Sequence, residues 1–305
     1  MSATTRWKDI QIENIEAACD KMLSSIPDDD RTNSIFWRNI SCRKVFEDMQ
    51  MMKFNGRDIK FQAFHYRYDQ VSVQDNPDDD RSMLKNGMIV IYQNGGTVYY
   101  IVDQNTHAKK LLRKLLGYTG RNELEKNCFD LPDDFFVWLV NQVYNSNVTI
   151  LNTSADDEKV LTLEEIKGIR GDTEDLQTSV SASGESVMNV ISTLSFLLES
   201  RRLNQVILTL KYTGHSCICM KVQKSTIEAG RPYQGEFDQD GSEALFAKLY
   251  LLMYIEVIPL LELEYRAAKE EYWNEEAYIE FLEGLKTDIL GKIEEKIKYL
   301  KSNTV

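Results

Sequence analysis

Histidine is almost missing from this chain, with three in 305 residues, at positions 65, 107 and 215. General-base chemistry near neutral pH draws on histidine first, so little is left to carry it. A Ser-His-Asp hydrolase also needs its serine on a sharp, glycine-flanked turn, and the segment SASGES, residues 181–186, has glycine on one side only. Cysteine is scarce as well. The five residues Cys19, Cys42, Cys128, Cys217 and Cys219 are odd in number and scattered, which fits reduced thiols better than a disulfide framework. The tripeptide Arg170–Asp172, RGD, therefore reads as a turn and not as an adhesion motif.

Positive charge is in deficit, with 36 Lys and Arg against 48 Asp and Glu, a formal net charge of −12. Such a surface keeps a chain soluble and repels phosphate backbones on average, so nucleic-acid binding is disfavoured and would need a local basic patch. Long apolar runs are missing too. The longest, LYLLMYIEVIPLLELEY from Leu249, is interrupted by Glu256, Pro259 and Glu262. It falls short of the roughly twenty apolar residues of a membrane span and predicts a buried helix. No apolar run of signal-peptide length follows the first basic residues. The expected setting is cytoplasmic, with no membrane.

What is present reads as an α+β protein. Apolar spacing predicts two helices in the first fifty residues, one through Ile12, Ile15, Ala18 and Met22, the other through Ile35, Phe36, Ile40, Val45 and Met49. The pentapeptide PDDDR occurs at 27–31 and again at 77–81 with flanks that do not align, so it marks recurring turn chemistry and not a repeat. From residue 58 the period changes to two. Strands GMIVIYQ and TVYYIVD are joined by Asn94, Gly95 and Gly96, a hairpin signal because these residues accept positive φ. A helix follows with Ala108, Leu111, Leu112, Leu115 and Leu116 on one face and Gly117 as its stop, and another starts at LPDDFF, with Pro132 and two acids at its N-terminus.

Residues 148–159 are expected to connect two lobes. Beyond them, DLQTSV has strand spacing, Ser183 is placed to cap a helix running through Val187, Val190, Ile191, Leu194 and Leu198, and strands QVILTLKY and CICMKV meet near Gly214. The expected architecture is thus an N-terminal lobe with a small antiparallel sheet and flanking helices at 1–147, a β-α-β-β lobe at 148–241, and a C-terminal αα-hairpin at 242–305. The last helix keeps Tyr278, Leu282, Leu285, Ile289, Ile293 and Ile297 as one stripe.

Recognisable chemistry is thin. The glycines near 168–184 match neither a P-loop nor the three-glycine dinucleotide fingerprint; Ser181, Ser183 and Gly184 suit capping better than phosphate binding. His215, Cys217 and Cys219 alternate on one strand but lack a second ligand pair at zinc spacing, so no metal site is expected. Asp133 or Asp134 with Glu165 and Lys167 is the one arrangement that resembles a magnesium-dependent nuclease core, an acid followed by acid-x-lysine. Lys109, Lys110, Arg113 and Lys114 form a cationic helix face that suits an anionic partner or plain solvation. Leu252, Ile255 and Ile258 lie on a helix apolar on nearly every face, which predicts cover from a partner or from the second lobe.

The reading that follows is an intracellular macromolecule-binding or assembly subunit, using its C-terminal helices for self-association or a protein partner, with no cofactor. One alternative is a metal-dependent nuclease acting on DNA or RNA, which would require magnesium. Another is an accessory or sensor subunit of a bacterial phage-defence system, prompted only by the lack of enzyme motifs.

Overall fold

A computed structural model describes residues 3–24, 26–29, 34–73, 81–145, 149–154, 157–173, 179–183 and 200–302, with side chains omitted for some residues between 149 and 201. The chain is α+β, with two antiparallel sheets and C-terminal helices. It divides into two compact units: residues 1–129, 226–229 and 237–256 form one, and residues 130–225, 230–236 and 257–305 the other. The division is not sequential, since residues 226–229 and 237–256 group with the first 129. The bridge between Thr4 and Ile227 joins two such stretches, closed by Thr4 N to the Ile227 carbonyl at 2.7 Å.

The first unit is built on a seven-stranded sheet of β1 (Thr5–Asp9), β2 (Ile35–Lys44), β3 (Gln50–Phe54), β4 (Arg57–Ser72), β5 (Arg81–Asn94), β6 (Thr97–Val102) and β7 (Leu124–Lys126). Its order is β2-β4-β5-β6-β1-β7, with β3 also paired to β4. Two two-residue turns fix the registers. Asn55 and Gly56 close β3–β4 with φ of 47° and 74°, and Gly95 and Gly96 close β5–β6 with φ of 58° and 78°. Positive φ at both central residues matches the right-handed twist of the strands.

One face of this sheet is covered by α1 (Ile15–Leu23) and α2 (Ala108–Leu115). Ile15, Ala18 and Met22 of α1 and Leu111, Leu112 and Leu115 of α2 share a core with Phe64, Tyr66, Ile89, Ile91 and Tyr100. Each such aliphatic side chain contributes about 1.5–3 kcal/mol on burial. Asp9, at the end of β1 and 3% exposed, ties the core together. It accepts from the hydroxyls of Tyr100 and Tyr118, both at 2.7 Å, and from the backbone amides of Gln11 and Ile12, both at 2.9 Å. Helix α4 (Ser242–Leu252) packs on β5.

Residues 35–49 do not form the second expected helix; Ile35–Lys44 form β2 and residues 45–49 follow it as irregular chain. Arg38 pairs with Asp69 and Ser41 with Arg67, so the register slips across a bulge at Asn39, whose φ is 54°. The bulge breaks the period of two and brings Phe36, Trp37 and Ile40 all into the interior. Their spacing therefore imitates a helix.

The second unit carries β8 (Thr149–Ser154), β9 (Asp157–Thr173), β10 (Ser179–Ser183), β11 (Ser200–Tyr212) and β12 (His215–Gln223), with β13 (Thr226–Gly235) completing the order β10-β9-β11-β12-β13 and β8 paired to β9. The expected connection at 148–159 is instead the β8–β9 hairpin. Ser183 ends β10, and the helix predicted through Val187 and Leu198 lies outside the described residues. Helix α3 (Asp133–Tyr144) packs on β9 and β11, with Asp133 and Asp134 in its first turn.

After α4 comes a π-helical turn, Met253–Val257, and then α5 (Ile258–Glu271) and α6 (Glu275–Ser302). Pro259 lies at the start of α5; its missing N–H leaves an upstream carbonyl unpaired, a gap that a widened turn relieves. The stretch Ser242–Glu271 has the length and hydropathy of a membrane span, contrary to the shorter apolar run expected, and 72% of its most apolar window is buried inside the protein. Tyr265 of α5 meets Phe135 and Trp138 of α3 with ring centroids 5.4 and 5.5 Å apart.

Candidate functional site

Three groups of residues singled out from the sequence are engaged within the chain. The cationic face of α2 is largely consumed by its own unit. Lys114 Nζ lies 2.6 Å from Asp29 Oδ1, and Lys110 Nζ lies 3.8 Å from Asp29 Oδ2 and 4.2 Å above the Trp37 ring. Arg113 pairs with the buried Glu123 at 3.6 Å and donates to the Gly120 carbonyl. Lys109 alone of the four makes no ion pair among the described residues. The stripe therefore fastens Asp29, Trp37 and the 117–123 turn to α2.

Leu252 and Ile258 are 2% and 1% exposed, so they are core positions and not contact positions. Ile255 is half-buried beside Phe54, Asn55 and Ile59.

The nuclease candidates fall into separate ion pairs among the described residues. Asp134 lies 3.0 Å from Lys269, in a cleft of about 420 Å³ where Asp133 pairs with Arg202 at 3.3 Å. Burial pushes the Asp134 carboxyl up, but the Tyr265 hydroxyl and the Lys269 ammonium outweigh it and hold the group below its ordinary value. On β9, Glu165 and Lys167 stand 4.0 Å apart as their own ion pair. No group of three metal-ligating side chains occurs among the described residues. His215 Nδ1 is 2.8 Å from the Tyr233 hydroxyl, and Cys217 Sγ donates to the Pro232 carbonyl at 3.8 Å.

Two features remain open. The first is the distal half of α6. Its proximal half is anchored to α3, where Tyr144 meets Phe281 at 5.6 Å and donates to Asp288 Oδ2 at 2.6 Å. Phe281 and Leu285 are buried there. Beyond them Leu290, Ile293, Ile297 and Leu300 are 50%, 42%, 46% and 53% exposed. Their 3-4-3 spacing puts all four on one stripe of the helix. The sequence stripe ending in Ile293 and Ile297 is thus half core and half open.

The second feature escaped the sequence reading. Alternation on β4 places Tyr66, Tyr68 and Gln70 on one face, and the register sets Gly87 of β5 opposite Tyr66 and Lys85 opposite Tyr68. Asp103, just past β6, enters the gap that Gly87 leaves. Tyr66 donates its hydroxyl hydrogen to Asp103 Oδ1 at 2.9 Å, and Gln104 Nε2 donates to the Tyr66 and Tyr68 hydroxyl oxygens at 2.9 and 3.3 Å. A Cβ at position 87 would overlap both the Asp103 carboxylate and the Tyr66 hydroxyl. Burial pushes the Asp103 carboxyl up to about 6, against the opposing effect of the Tyr66 and Met88 hydrogen bonds. The same burial, with Asp103 adjacent, pushes Tyr66 up as well. A cavity of about 450 Å³ opens over these groups. The lone signal in the sequence was a glycine inside a strand pattern, which marks a close approach.

No protein-family model matches the chain, and no curated protein matches it.

Proposed function

We propose that the protein is a macromolecule-binding subunit that assembles with a protein partner through the distal half of α6. The observation that carries this reading is the stripe Leu290, Ile293, Ile297 and Leu300, each between 42% and 53% exposed on a helix whose proximal half is held by core contacts. Four large aliphatic side chains in a row at coiled-coil spacing gain several kcal/mol when covered. The flanking charges favour a partner helix over a second copy. Residues 286–301 hold Lys286, Lys292, Lys296, Lys298 and Lys301 against Asp288, Glu294 and Glu295, a local excess of positive charge on a chain of −12. In a parallel self-pair, Lys296 of one helix would face Lys301 of the other, a repulsion that an acidic amphipathic helix turns into attraction. Five unpaired thiols support a reducing, cytoplasmic setting for this assembly.

The test pairs the wild type with an Ile293→Glu, Ile297→Glu double variant. Light scattering and affinity purification at native expression level should show a stoichiometric partner with the wild type and none with the variant, while circular dichroism stays unchanged. A wild-type protein that purifies alone as a monomer at tens of micromolar would overturn the reading. A dimer lost in the variant would replace the partner by a second copy.

A further inference from the structure

We propose that the cavity over Asp103 is a binding site for a small, neutral, polyhydroxylated ligand, of the class of monosaccharides and sugar moieties. It lies wholly within the first unit and is independent of the α6 surface.

The cavity wall contains one carboxylate, Asp103, and one ammonium, Lys85, so its formal charges cancel, and a ligand with a net charge would leave one of them opposed or unanswered. Besides those two groups the wall holds the primary amides of Gln70, Asn86, Gln104 and Asn105, the Tyr66 and Tyr68 hydroxyls, Thr106, the His107 imidazole and Ala3. An amide presents a donor and an acceptor side by side, and a hydroxyl does both at one atom. A ligand whose own groups donate and accept at once answers such a wall, and vicinal hydroxyls are that ligand. An ammonium, which only donates, leaves the amide N–H groups and Lys85 without acceptors.

The groups at the floor are already oriented. Tyr66 spends its hydrogen on Asp103 Oδ1, and its oxygen receives Gln104 Nε2. The backbone carbonyl of Gln104 is held in turn by the Thr5 hydroxyl at 2.7 Å. Tyr68 accepts from Gln104 at 3.3 Å and keeps its own hydrogen to donate. The Asp103 carboxylate also receives the backbone amides of Met88 and Asp103; with two lone pairs on each oxygen it can accept a ligand hydroxyl as well, a charge-assisted bond of the stronger kind. Behind Tyr68, Trp37 lies 4.5 Å away ring to ring and fixes the tyrosine in place. Such pre-ordering lowers the entropic cost of binding. Gly87 completes the site, because only a residue without a Cβ admits the carboxylate and the phenol to the sheet surface at that point.

The experiment is calorimetric titration of the whole chain with a panel of neutral monosaccharides and polyols, alongside free amino acids and inorganic phosphate as charged controls. At least one neutral polyol should bind in the millimolar range or tighter, and the charged controls should not. Asp103→Asn should weaken that binding about ten- to a hundredfold, the value of a hydrogen bond to a charged group, and Lys85→Met should weaken it less. Both variants keep the shape of the wall, and their melting curves establish that they fold. No heat with any neutral polyol, binding unchanged in Asp103→Asn, or tighter binding of the charged controls would each overturn the assignment.

Discussion

Two buried carboxylates show how a single residue organises its surroundings, and each carries a prediction. Asp9 is surrounded by donors only: two phenol hydroxyls and two backbone amides. Removing it leaves those groups buried without acceptors, so Asp9→Ala should cost about 2–4 kcal/mol in urea unfolding, and Asp9→Asn less, since an amide oxygen still accepts. Asp103 behaves oppositely because its burial is poorly compensated. Its carboxyl rises from 3.8 to about 6 on folding, so between those pH values the folded chain binds more protons than the unfolded one. Stability should therefore fall as pH climbs from about 4 to about 6 and level off above. Asp103→Asn should abolish that slope, which chemical unfolding across the range will read. His107 and Lys85 also line this cavity, and a slope unchanged in the variant would assign it to another group.

At the scale of elements, α2 and α6 make contrasting cases. Helix α2 looks in sequence like a helix with a leucine face and a spare cationic face, yet Lys110 and Lys114 converge on Asp29 and Trp37. Reversing both, Lys110→Glu with Lys114→Glu, should lower stability by about 1–2 kcal/mol by setting two acids beside a third and removing the cation–π contact. Differential scanning calorimetry will show this as a lower Tm, where a merely solvated face would be indifferent. Helix α6 is exposed where α2 is engaged. Gly291 lies in its interior with open space around the missing Cβ, so Gly291→Ala should raise helix stability by about 1 kcal/mol. The gain will appear as higher far-ultraviolet ellipticity and slower amide exchange in residues 286–300.

For the whole molecule, net charge and thiol chemistry lead to the remaining expectation. A chain of −12 whose best cationic stripe is spent on internal pairs has little left for a polyphosphate. Gel shift against duplex DNA, single-stranded DNA and RNA at physiological salt should show no retardation at low micromolar protein, and retardation would reopen the nucleic-acid reading. The five cysteines are unpaired. Burial pushes the Cys19 and Cys42 thiols up to about 12, so both should resist thiol reagents in the native state and react on unfolding.

The amino-acid sequence alone determined the α+β class, the β5–β6 turn at Gly95–Gly96, the α2 helix with its stop, the α3 helix with its start, and the apolar character of the C-terminal helices. Those signals are local: positive-φ residues at turns, acids in a first helical turn, and apolar spacing within one element. Tertiary structure decided what depends on partners far along the chain. It made 35–44 a strand, because a bulge at Asn39 is needed to match β4, and it turned the 148–159 segment into a hairpin on β9. It spent Lys110, Arg113 and Lys114 on Asp29, Trp37 and Glu123, residues that no helical periodicity places nearby. It also brought Asp103 to Tyr66 and Gly87, 37 and 16 positions away in sequence. Burial and pairing are properties of who the neighbour is, and strand register across a sheet supplies neighbours that the order of residues does not reveal.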